Sequence, residues 1–149
     1  MKLLQSIKYW IFDLDNTLYS AKTKVFDQVE KRMTQYVSDK LNLSLDKAKK
    51  IQKNYFHQYN TTLNGMIKNH KIEANEFLEF VHDIDIDFLR KDLKLIEELK
   101  KLDGKKIIFT NGPRKHAINV TQKIGIDQHF DHIFDIIDAN LVPKPAAEP

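Results

Sequence analysis

Only three stretches of this chain read as strands, and a long helical run separates the first from the second. Residues 9–12 (YWIF) are an unbroken aromatic and β-branched run, which predicts a strand buried on both faces because no polar residues alternate with the apolar ones. Val25, Val29, Met33, Tyr36, Val37 and Leu41 then recur at helical spacing, and Ser44 stands as an N-cap whose hydroxyl can accept an amide at the start of a helix running to Tyr59. Further helices are expected over 62–70, 73–82 and 88–102, the last carrying Leu89, Leu93, Ile96 and Leu99 and closed by Asp103-Gly104. The second strand falls at 106–110 within KKIIFT, Pro113 can open a helix that Gly125 ends, and residues 133–137 make the third strand. Strands alternating with helices imply right-handed crossovers and a parallel sheet, so the fold class is α/β with a Rossmann-like sheet. The block 22–85 is too long for a simple crossover and is expected to form a separate helical cap over the sheet's carboxyl edge. The core then comprises residues 1–21 and 86–149.

Composition narrows the function classes. At 149 residues the chain is one domain, or one domain with an insertion, and 42% of it is hydrophobic. Its formal charge is +3, with lysines interspersed among acids along helical patterns, so it carries no nucleic-acid footprint. With no cysteines it can form neither disulfides nor thiolate metal sites. This suits a reducing, cytoplasmic location. The opening MKLLQSIKYWIFDLD breaks its apolar run with charges too early for a signal peptide, and nowhere are there the roughly 18 apolar residues of a membrane span.

The chemistry gathers where the strands end. Asp13 and Asp15 are two apart on an extended segment and point to one side, toward the crevice where parallel sheets bind ligands. Alone, DLDNT reads equally as an acidic turn after a strand. As a cation site it suits Mg²⁺, which takes oxygen ligands and accepts phosphate among them. A calcium loop is excluded, since counting from Asp13 puts Leu18 at the required glycine and Lys24 at the bidentate acid. Thr110, Asn111 and Gly112 offer a hydroxyl and backbone amides ahead of a helix N-terminus, as a phosphate requires. Lys144 follows the third strand as a cation able to neutralise developing charge.

Taken together, FDLDNTLY, DQVEKRMTQYV, YFHQYNTTLNGMIKNH, FLEFVHDIDIDFLR, IIFTNGPRKHA and KIGIDQHFDHIFDI resemble the pyrimidine 5′-nucleotidase branch of the haloacid dehalogenase-like (HAD) superfamily. The resemblance runs from Tyr9 to Lys144 and includes the cap. It implies a Mg²⁺-dependent phosphomonoesterase acting on nucleoside 5′-monophosphates, with other small phosphorylated metabolites such as sugar phosphates as the alternative. Asp13 would be the nucleophile that forms an aspartyl-phosphate, and Asp15 would protonate the leaving alcohol and then activate water. Thr110 and the Asn111 amide would bind phosphoryl oxygens, and Lys144 would neutralise charge. The carboxylate of Asp13 and the backbone carbonyl of Asp15 would hold the metal. In the cap, Thr61, Thr62 and Asn64 are the candidates for substrate contact.

The resemblance also carries an expectation of absence. The family places an acidic pair on a further strand beyond the lysine, whereas here Glu148 is the only acid left. Truncation is therefore expected to weaken the metal site and to leave residues 9–12 as an uncovered edge open to self-association. A fragment, a complete weakly active chain and one covered by a second copy all fit this, and a non-catalytic phosphate-binding scaffold is the rival class. His82, Asp83, Asp85 and Asp87 read as a solvated connection, with a hinge role where the cap returns to the core. His129 and His132 read as surface histidines, and Tyr55, Phe56 and Tyr59 as cap packing.

Overall fold

The computed structural model describes residues 7–146. Glu148 and the end of PKPAAEP lie outside them, as do the first six residues of the opening segment. Three strands, β1 (Tyr9–Phe12), β2 (Lys105–Phe109) and β3 (His132–Phe134), form one parallel sheet in that order. Six α-helices accompany them among the described residues: α1 (Val25–Leu41), α2 (Leu45–Tyr59), α3 (Thr62–His70), α4 (Ala74–Val81), α5 (Leu93–Lys100) and α6 (Arg114–Ile124). The chain divides into two compact units, one of residues 7–23 and 86–140, the other of residues 24–85 and 141–146. No described helix is long and apolar enough to cross a membrane.

The first unit holds the sheet with α5 and α6. Ile108 on the central strand is fully buried, as are Ala117 and Val120 of α6. Phe109 meets Phe134 edge to face at 5.2 Å, and Phe12 meets Phe130 at 5.4 Å. β1 departs from the expectation of burial on both faces: Tyr9 is 61% and Ile11 69% exposed, while Trp10 and Phe12 are half-buried. Side chains alternate across a strand, so one uncovered face exposes every second residue whatever its character. Among the described residues β1 pairs only with β2, which makes it an edge.

Two elements are shorter than the sequence predicts, for a shared reason. α5 begins at Leu93 because the Asp92 carboxylate accepts the Leu95 amide at 2.9 Å and caps the helix there. β3 stops at Phe134 because the next side chain, Asp135, accepts the amides of Ile137 and Asp138 and turns the chain.

The second unit is built on α1 to α4. Val25, Val29 and Val37 of α1 are fully buried, and Tyr36 lies edge to face with Phe77 of α4 at 5.0 Å. The Tyr36 hydroxyl donates to Glu76, and burial together with that bond pushes its pKa up to about 12. α2 starts after Ser44 as expected, but the Ser44 side chain makes no capping bond there. Within the aromatic stripe, Tyr55 packs on Tyr59 at 5.7 Å and its hydroxyl bonds with His70 Nε2 at 2.7 Å. Phe56 departs from the packing expectation and is 58% exposed, being one position off the face that residues four apart share.

Gly65 sets how closely α2 and α3 approach. A Cβ there would lie 2.4 Å from both Cβ and Cγ of Tyr55. Gly65→Ala gains about 1 kcal/mol in helix propensity, but it drives a methyl into an atom fixed to the α2 backbone, an overpacking cost of about 3 kcal/mol. A net loss of roughly 2 kcal/mol is expected in urea unfolding. Adding Tyr55→Ala is not expected to restore stability, because the Tyr55 Cβ remains.

Candidate active site

The site is assembled at the carboxyl edge of the sheet. In the β1–β2 register Phe12 faces Ile108, so the chains leaving the two strands emerge at the same edge. After β1, Leu14 is fully buried, and its carbonyl accepts the amides of Thr17 at 3.2 Å and Leu18 at 3.0 Å. Asn16 completes the turn at φ 61°, a left-handed conformation that asparagine tolerates better than most residues. With Leu14 drawn inward, Asp13 on one side of it is exposed and Asp15 on the other is partly buried.

The two carboxylates occupy different surroundings. Asp13 is exposed, and its Oδ2 accepts the Thr17 hydroxyl at 2.6 Å. The side chain of Asp15 is only 15% exposed, and its Oδ1 accepts the Tyr19 hydroxyl at 2.6 Å and meets His116 Nε2 at 2.7 Å. A carboxylate can only accept, so the bonding puts the hydrogen on Nε2. Burial, and then the charge of Asp15, hold the Tyr19 phenol far above its ordinary pKa, so it stays a neutral donor.

The second loop is held from within. Thr110 is 1% exposed, donates its amide to Phe134 O at 3.0 Å, and accepts the Gly112 amide on Oγ1 at 3.0 Å. The Gly112 amide, expected to contribute to a phosphate cradle, thus closes its own turn. Arg114, the first residue of α6, donates its amide to Asp135 Oδ2 at 2.7 Å, and its guanidinium pairs with Asp138. The Asp135 amide, first, and the Arg114 charge hold the Asp138 carboxyl below its ordinary value.

The sequence-predicted residues fall into two groups. Asp13, Asp15, Thr110, Asn111 and Gly112 lie in the first unit, on the two loops leaving the same sheet edge. Lys144, Thr61 and Thr62 lie in the second. Lys144 sits in a turn where the Ala146 amide donates to Pro143 O. Thr61 caps α3 by accepting the Asn64 amide at 3.1 Å, and Thr62 is buried with its hydroxyl on Gln52 O at 3.2 Å, so both shape the start of α3. In the connection, Asp83 pairs with Arg32, Asp87 with Lys123, and His82 Nδ1 bonds with Leu78 O. Among the described residues, no three His or acidic side chains gather as a metal cluster. The exposed carboxylate of Asp13 and the backbone carbonyl of Asp15, two residues on in sequence, are oxygen-only donors. That chemistry fits Mg²⁺, which retains several waters.

Three residues hydrogen-bonded into this arrangement escape sequence reasoning: Tyr19, His116 and Asp135. His116 leaves one readable signal. It stands with Ala117, Val120, Thr121 and Ile124 on the buried stripe of α6, where an ionisable side chain needs a partner.

These observations define a haloacid dehalogenase-like hydrolase, and the chain belongs to that family, whose model matches residues 7–149. It is similar to Phosphate metabolism protein 8 of Saccharomyces cerevisiae, at 33% identity over 137 residues covering 85% of this chain. The match spans 42% of that relative's length.

Proposed function

We propose that the chain carries the catalytic face of a Mg²⁺-dependent phosphomonoesterase acting on nucleoside 5′-monophosphates. The observation that carries this reading is the unequal treatment of the two acids, one exposed with the Thr17 hydroxyl on its Oδ2, the other drawn in between a phenol and an imidazole. Environments that separate two carboxylates separate their roles. Asp13, open to solvent, attacks phosphorus and carries the phosphoryl group as an aspartyl-phosphate. Asp15 gives a proton to the departing alcohol and takes one from the water that then attacks. Thr110 and the Asn111 amide orient the phosphoryl oxygens, and Lys144 neutralises their charge. Magnesium, when bound, supplies further charge neutralisation at the phosphoryl group, and Asp13 and the Asp15 carbonyl would hold it.

The test is phosphate release from a panel of pyrimidine and purine nucleoside monophosphates and sugar phosphates, with Mg²⁺ and with EDTA. Release that needs Mg²⁺ and favours pyrimidine nucleotides is expected. Equal rates across the panel point to a general small-molecule phosphatase. Tight binding of phosphate esters without turnover makes the protein a scaffold and overturns the reading.

A further inference from the structure

We infer that His116 is a positioning residue: with Tyr19 it fixes Asp15 through Oδ1, so that proton exchange with the leaving group runs through Oδ2. The inference rests on the phosphatase reading above and adds to it a residue and an oxygen atom.

The geometry is specific. His116 is the ionisable member of the buried stripe on α6, and its side chain is 2% exposed. It reaches across 101 positions in sequence to the loop after β1, where its Nε2 lies 2.7 Å from Asp15 Oδ1. The Tyr19 hydroxyl meets the same oxygen at 2.6 Å from within that loop. Two short bonds on one oxygen, from donors on different elements, fix both the position of the carboxyl group and its rotation about the Cβ–Cγ bond. An oxygen holding two donors is a poor exit for a proton. The exchange therefore falls to the other oxygen.

In the first step the oxygen of Asp13 bonds to phosphorus and the bond from phosphorus to the leaving oxygen breaks. The electron pair of that bond stays on the leaving oxygen, which takes the proton from Oδ2. Asp15 is left as a carboxylate whose charge on Oδ1 is stabilised by the Tyr19 O–H and the His116 Nε2–H, donors already in place before the reaction. In the second step water attacks phosphorus, Oδ2 takes its proton, and the bond from Asp13 to phosphorus breaks. The donors on Oδ1 serve both steps without moving.

The readout is leaving-group dependence. A nucleoside monophosphate releases a basic alkoxide that needs the proton, whereas p-nitrophenyl phosphate releases a stabilised phenolate that hardly does. His116→Leu is expected to lower kcat on the nucleotide by about thirtyfold, a part of the hundredfold or more that a positioned acid supplies, with KM nearly constant. On p-nitrophenyl phosphate the loss is expected to stay within about threefold. His116→Gln keeps an N–H near the Nε2 position and is expected to recover most of the nucleotide rate, and Tyr19→Phe to repeat the selective loss. Equal losses on both esters, or a Gln variant no better than Leu, would overturn the inference and leave His116 a packing residue.

A second measurement does not depend on turnover. In a two-bond ¹H–¹⁵N spectrum of the full chain, with His116 assigned through His116→Gln, a proton on Nε2 protected from exchange is expected, its shift changing in Asp15→Asn. A ring protonated only on Nδ1 would contradict the bonding. Wild-type protein inactive on both esters sinks the phosphatase reading, and the spectrum then decides the Asp15 clamp by itself.

Discussion

Asp13→Asn is expected to lower phosphate release from a nucleoside monophosphate by about a thousandfold or more while leaving the fold intact. Asparagine keeps the shape of the side chain, and its amide oxygen can still accept the Thr17 hydroxyl that Asp13 Oδ2 accepts at 2.6 Å. What it loses is the anionic oxygen that, in the proposed mechanism, bonds to phosphorus. Asp15 is a poor substitute, because its Oδ1 is committed to Tyr19 and His116 and the proposed mechanism uses it as the acid. Since Asp13 is exposed, the change buries nothing unpaired, and stability is expected to stay within about 0.5 kcal/mol of wild type. Urea unfolding beside a phosphate assay separates the two effects. A rate unchanged by the substitution would assign the activity to another mechanism or to a contaminant.

Asp13 could be singled out from sequence because its signal is local. Two acids two apart after an apolar run declare a shared direction, and the loop geometry needs only a buried Leu14 and an asparagine able to take φ 61°. The first helix of the second unit was legible for the same reason, α1 burying Val25, Val29, Tyr36 and Val37 at the spacing read from its own residues, and α2 and α3 run where the sequence places them. Where sequence reasoning failed, the deciding bond came from elsewhere or overrode a pattern. The periodicity of Leu89, Leu93, Ile96 and Leu99 suggested a helix beginning at Phe88, but Leu93 is 70% exposed and Leu89 is buried from a loop. The Asp92 cap outweighed the pattern. β1 looked buried on both faces because an unbroken apolar run does not reveal whether both faces of the strand are covered. His116 and Asp135 could not be assigned to the site from sequence because the bonds that tie them to it, His116 to Asp15 and Asp135 to the Arg114 amide, span 101 and 21 positions.

Asp135 carries the second large effect. The residue is 4% exposed, and its carboxylate accepts three amides, from Arg114 at 2.7 Å, Ile137 at 3.0 Å and Asp138 at 2.9 Å. Asp135→Ala leaves these donors facing a small apolar group. An unsatisfied buried donor costs about 1–3 kcal/mol, and water entering the space left by the carboxylate would satisfy some of them, so a loss of about 3 kcal/mol is expected in urea unfolding. Asp135→Asn retains one accepting oxygen but turns an NH₂ toward an amide donor, and about 2 kcal/mol is expected for it. The consequence reaches the chemistry because the Arg114 amide is the first of α6, and α6 carries His116 to Asp15. If Asp135 acts by seating that helix, the alanine variant, assayed well below its melting temperature, should lose nucleotide hydrolysis more than p-nitrophenyl phosphate hydrolysis, as His116→Leu does. A stability loss with both esters affected alike would show that α6 keeps its seat without the carboxylate, and would confine Asp135 to holding the turn after β3.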